Sequence, residues 1–127
     1  MHRDRLRKYL LIVLFVFPSA VAAEWVGFWL NVNWSIYLYD NSRIVKSGSD
    51  VYVWQRIQYA EPKKSGIQSI QIYIKIDCEH TTYEYLEASS YLDANWVDLD
   101  KVTVGDKKVR LVTAGSAYEA LAKNVCK

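Results

Sequence analysis

The chain has little of the chemistry that enzymes and metal sites use. Its 127 residues hold two cysteines and two histidines. His2 belongs to an amino-terminal segment read below as an export signal, so His80 is the one histidine left to the mature protein. Cys78, Cys126 and His80 fall short of the four ligands a structural zinc site takes. Long hydrophobic runs are missing too. The most apolar stretch, Tyr9 to Phe17, is far shorter than the roughly 20 residues that span a bilayer. There is no excess of one charge, with 16 Lys plus Arg against 14 Asp plus Glu, and so no general attraction for nucleic acid. No Gly-x-Ser-x-Gly elbow, phosphate loop or dinucleotide fingerprint occurs. Asp98, Asp100 and Asp106 lack the spacing of an EF-hand loop. The chain therefore reads as a non-enzyme, with neither metal nor cofactor expected.

Two further residue groupings have the form of catalytic sites without the chemistry. Cys78 and His80 would share a strand face as a thiol pair, but an oxidised cysteine is no nucleophile. Asp77, Glu79, Glu84 and Glu87 read as a solvated face rather than a working carboxylate pair.

What the chain does have begins with export. His2, Arg3, Arg5, Arg7 and Lys8 precede the apolar Tyr9–Phe17, and Pro18-Ser19-Ala20-Val21-Ala22-Ala23 follows with small residues where a signal peptidase reads. This is the pattern of a secretory signal over residues 1–23. Cleavage falls after Ala22 or after Ala23. Its removal leaves 12 basic and 13 acidic residues, a charge near −1. Residues 24–127 then make one domain, exported to the periplasm or beyond, with no second apolar segment to anchor it. An oxidising compartment favours a Cys78–Cys126 disulfide. Closing that loop removes unfolded-state entropy worth about 4 kcal/mol.

The domain reads as a meander of about six strands with one carboxy-terminal helix. Trp25–Leu30 is apolar and aromatic, with Gly27 as a bulge candidate. Ser35–Tyr39 and Val51–Tyr59 are rich in strand formers, with turns at Asp40-Asn41-Ser42 and Ser47-Gly48-Ser49-Asp50 between them, and Glu61-Pro62-Lys63-Lys64-Ser65-Gly66 breaks pairing. In Ile67–Cys78 the residues Ile70, Ile72, Ile74, Ile76 and Cys78 fall on one face and Ser69, Gln71, Tyr73, Lys75 and Asp77 on the other. Such alternation predicts a strand with one buried side. Thr82–Leu92, short pieces in Asn95–Val104, and Val109–Val112 complete the sheet. Ser116 then caps a helix over Ala117–Cys126, with Glu119 completing a capping box. Tyr118, Leu121, Ala122 and Val125 make its apolar face. The fold class expected is α+β: one antiparallel sheet, one helix packed on one side, one disulfide.

Fifteen aromatics follow the signal, Trp25, Trp29, Trp34, Trp54 and Trp96 among them. That density exceeds what a small core needs, so an exposed cluster is expected on the helix-free side. The residues expected to carry contact there are Gln71, Tyr73 and Lys75, with Tyr52, Trp54 and Arg56 on the neighbouring strand.

Several short motifs recur in a familiar order. Trp25 follows the signal; Tyr37-Leu38-Tyr39-Asp40 and Val53-Trp54 mark the second and third strands; Ile76-Asp77-Cys78 closes a strand; Gly115-Ser116 opens the helix; Asn124-Val125-Cys126 ends it. In these features the mature chain resembles the surface-adhesin protein E family of Gram-negative bacteria. The resemblance implies an antiparallel sheet carrying a carboxy-terminal helix. It also implies binding to host matrix and plasma proteins such as vitronectin and laminin, and a homodimer. Two features depart from the family's pattern. No lipidation cysteine follows the signal, and the segment around Cys78 offers Lys75 beside Asp77, Glu79, His80 and Glu84 rather than a basic stretch. Two function classes follow: an exported, adhesin-like protein-binding module, or a periplasmic accessory or inhibitor protein that binds another bacterial protein.

Overall fold

Alternation along the two central strands decides which layer becomes the core. The computed structural model describes residues 22–127; the export signal, apart from its last two residues, lies outside them. The strands are β1 (Trp25–Leu30), β2 (Ile36–Asp40), β3 (Val45–Ser47), β4 (Asp50–Gln58), β5 (Ser69–Asp77), β6 (Thr82–Tyr91), β7 (Leu99–Val104) and β8 (Arg110–Leu111), followed by helix α1 (Ala117–Val125). They form one sheet in the order β1-β2-β4-β5-β6-β7, with β3 beside β4 and β8 beside β6. Each pairing is antiparallel.

The expected six strands are six lanes, two of them broken, so that eight strands result. The first break separates β2 from β3, which both pair with β4. Asp40, with no solvent exposure, sits at this break. Its carboxylate accepts from the Glu24 and Ser42 backbone N–H groups at 3.0 Å and from the Ser42 hydroxyl at 2.6 Å, and pairs with Arg43. Burial alone would raise this carboxyl, but these donors outweigh it and hold it well below the ordinary carboxylate range. The second break separates β7 from β8, which both pair with β6. Gly105 lies there, its N–H bonded to Leu86 O. A side chain at Gly105 would collide with the Tyr85 carbonyl, so the lane passes only as glycine. The first break falls at the turn that Asp40-Asn41-Ser42 spells in the sequence; residue-level β-propensity carries no trace of the close approach at the second. Gly27 marks a register shift in β1, as its position suggested.

The inward faces of β4 and β5 meet in register: Val51 opposite Ile76, Val53 opposite Ile74, Gln55 opposite Ile72. α1 covers this side. Leu121 and Val125 are buried against Val51, Val53, Ile74, Ile76 and Tyr39, with Val26, Phe28, Tyr85 and Tyr118 packed around them. Cys78 and Cys126 are joined by a disulfide, so the end of β5 and the end of α1 are covalently one unit. The amino-terminal cap differs in one bond from the expected box. The Ser116 hydroxyl accepts from the Glu119 N–H at 3.3 Å, but the Glu119 carboxylate accepts from Gly115 N–H, while the Ser116 N–H goes to Thr113 O.

Polar side chains interrupt the inward side at few places, and one is unbonded. Gln55 is fully buried and stands close to the Tyr118 hydroxyl. The Tyr118 hydroxyl is the one polar group that bears on the amide, and among the described residues no hydrogen bond of ordinary geometry closes between them or to any other group. A buried amide in that state costs free energy that a similarly shaped apolar chain does not. Gln55→Met is expected to raise the unfolding free energy by about 1 kcal/mol in urea denaturation. A loss of that size would show that the amide has a partner worth keeping.

Candidate protein-binding face

The period of two that buries the isoleucines turns the alternate side chains to the other side of the sheet. There the six residues expected to carry contact stand as three cross-strand pairs: Tyr52 opposite Lys75, Trp54 opposite Tyr73, Arg56 opposite Gln71. All six are half-buried, neither core nor fully solvated. The Trp54 and Tyr73 ring centroids are 4.6 Å apart, and Tyr52 stacks on Tyr73 at 6.2 Å. Lys75 reaches Asp50 at 3.7 Å. The Arg56 Nε donates to Gln71 Oε1 at 2.8 Å.

Three further residues join this face: Trp25 and Trp96, which the sequence marked only as aromatics, and Arg43, which it did not mark. The Arg43 guanidinium lies 5.8 Å from the Trp54 ring centre. Arg56 is clasped from both sides, with its guanidinium carbon 4.2 Å from the Trp25 ring and 4.6 Å from the Trp96 ring. Trp25 comes from the edge strand β1 and Trp96 from the loop between β6 and β7. Burial draws the Arg56 pKa below its ordinary value; an arginine remains charged even so.

The placement of Trp96 has a local cause. The Asp93 side chain accepts from the backbone N–H groups of Asn95, Val97 and Asp98 at 2.8–3.0 Å, winding the loop around one carboxylate. Trp96 inside that winding has φ +55°, a left-handed conformation uncommon for a bulky residue. Its indole Nε1 donates to Ile70 O at 2.9 Å, which lays the ring over the sheet. The Gln58 amide and Ser69 hydroxyl, bonded to Ala94 O and Asp93 O, fasten the loop from below.

On the helix side of the sheet, beyond the amino-terminal end of α1, Ile57, Ile70, Ile72, Tyr85 and Tyr118 line a groove of about 640 Å³. The Tyr85 and Tyr118 hydroxyls share a 2.7 Å hydrogen bond. Burial, with Tyr85 beside it, pushes the Tyr118 pKa far above the usual phenol value, so it stays neutral. At the far end of β5 the sulfur of Cys78 is bonded to Cys126 and offers no thiol to His80. The His80 ring is held instead by Asp77 at 2.8 Å, which raises its pKa.

The profile of the surface-adhesin protein E family matches residues 28–127. The chain belongs to the surface-adhesin protein E family. Solved relatives have the same architecture. Crystal form II of Haemophilus influenzae protein E aligns at TM-score 0.61 with 16% identity, covering 86% of this chain and 91% of that one. Protein E from non-typeable Haemophilus influenzae aligns at TM-score 0.54 with 17% identity, covering 86% and 79%. At this identity the likeness is one of fold. No curated protein sequence matches the chain.

The Asp93 carboxyl is held below its ordinary value, first by the Asp98 N–H and then by those of Val97 and Asn95. A lowered folded pKa contributes order that is complete above the unfolded value of about 3.9 and is lost as pH falls toward the folded one. The Trp96 indole N–H should therefore stay protected from exchange at neutral pH and lose protection below about pH 4. Asp93→Ala should remove that protection at every pH, with β4 and β5 amides unaffected. Unchanged indole protection in the variant would mean another contact holds Trp96.

Proposed function

We propose that this family member is an exported, non-catalytic binding module that presents the helix-free side of its sheet to a protein ligand. One observation carries the reading. Three cross-strand pairs, Tyr52–Lys75, Trp54–Tyr73 and Arg56–Gln71, put aromatic rings, cations and amides together on the face that α1 leaves open. Half-buried aromatics and arginine are the side chains that most often anchor protein interfaces. The family is one of surface adhesins, which supports a ligand outside the cytoplasm. The disulfide supports an oxidising compartment. Both are consistent with the export signal read from residues 1–23. The edge strands β1 and β7 would leave room for a second copy, the homodimer that the family resemblance implies.

Immobilised vitronectin, laminin and a periplasmic extract, presented in parallel, separate an adhesin from a periplasmic accessory protein. Protease shaving of intact cells then reports whether the protein stands outside the cell. Whichever ligand is retained, replacing Gln71, Tyr73 and Lys75 together by alanine should lower capture by about tenfold or more. Capture that survives the triple variant unchanged would move the binding surface elsewhere on the sheet.

A further inference from the structure

Arg56 differs from the other arginines among the described residues. Arg43 is paired with Asp40 and Arg110 with Asp106. Arg56 has no carboxylate within ion-pair distance among those residues; its one hydrogen bond is from Nε to the neutral Gln71 amide. Its neighbours across the sheet are Leu38 on β2 and Gln71 on β5. The Trp25 ring, from the β1 flank of the sheet, and the Trp96 ring, from the β6–β7 flank, lie 4.2 Å and 4.6 Å from the guanidinium carbon. Two indoles stabilise a cation through their faces, but they leave the edge of the guanidinium unanswered. The two Nη nitrogens carry no bond within the described residues, and they are not among the buried atoms that lack one, so they reach solvent. The loop wound around Asp93 holds one wall of this cage with a left-handed tryptophan.

A half-buried guanidinium with apolar walls and a free pair of donors is built for a carboxylate. The fork matches a carboxylate bidentately, and the indoles strengthen that bond by excluding water. We propose that Arg56, clasped between Trp25 and Trp96, receives an aspartate or glutamate side chain from an extended acidic segment of a protein partner, with that segment's aromatic or proline residues lying on Trp54 and Tyr73. The inference rests on the binding-face reading above and names the chemistry of the partner. Glu84 and Glu87 lie on the same side of the sheet, opposite Lys75 and Tyr73, and disfavour an acidic group there. The preferred carboxylate is thus confined to the Arg56 end of the face.

A random dodecapeptide library displayed on phage, selected on the purified oxidised protein, tests this directly. The selected peptides should share an aspartate or glutamate beside aromatic or proline residues. A synthetic peptide of that consensus should lose more than about tenfold in affinity when its acid becomes the amide. Arg56→Gln should lose it equally, and Arg56→Lys, which keeps the charge without the fork, should recover little. The amide peptide on unaltered protein gives the same answer should a variant fold poorly. Peptides without an acidic consensus that still depend on Tyr73 (lost with Tyr73→Ala, retained with Arg56→Gln) would overturn the carboxylate assignment and leave the face in place. No enrichment, or peptides indifferent to both variants, would overturn both. A dimer in sedimentation that Arg56→Gln dissolves would give the cage to Glu84 or Glu87 of a second copy, and would equally overturn the assignment to a separate partner.

Discussion

A nine-residue helix pinned to one side of the sheet governs everything else in this molecule. A helix of that length is marginal in water by itself. It persists because Leu121 and Val125 lose all or nearly all solvent contact against Val51, Val53, Ile74 and Ile76, and because Cys126 is bonded to Cys78 at the end of β5. The two constraints act together. Burial gives the helix its free energy, and the disulfide limits how far the unfolded chain can carry it away. Without that cover, an isoleucine-lined layer would stand open to water and to neighbouring chains.

Closing one side determines the other. Side chains alternate along β4 and β5, so a register that turns Val53 and Ile74 inward must turn Trp54 and Tyr73 outward. A slip of one residue would exchange the two layers and expose the core. The aromatic side therefore rests on the same register as the hydrophobic one. Charge follows the same division. Asp40 is satisfied by four donors at a break in the sheet, whereas Arg56, a short distance along the adjoining lane, has two indoles and one neutral amide about it and no carboxylate.

Much of this was legible in the sequence because it is periodic or local. The isoleucines of β5 give both a strand and its buried side, and Cys78 continues that side toward a helix whose own cap and apolar stripe are local patterns. The six face residues were found for the same reason, as the off-phase members of two strands. What escaped was set by contacts distant in sequence or by backbone rather than side chain. Gly105 separates β7 from β8 because of a carbonyl on β6, and nothing near residue 105 announces it. Val45–Ser47 is too short and exposed to show a period. Trp25 and Trp96 meet over Arg56 from opposite flanks of the sheet, a juxtaposition no window along the chain contains. Gln55 occupies an inward position that the pattern reserves for apolar residues, and its burial is visible only once the helix is in place.

Native-state hydrogen exchange of the oxidised and the reduced protein tests the pinned helix most directly. The account predicts that reduction of Cys78–Cys126 speeds exchange at the α1 amides of Leu121 to Val125 by more than about tenfold, while β4 and β5 amides keep most of their protection. Helix amides that exchange at the same rate in both forms would show that packing alone holds α1 in place, and would contradict the account.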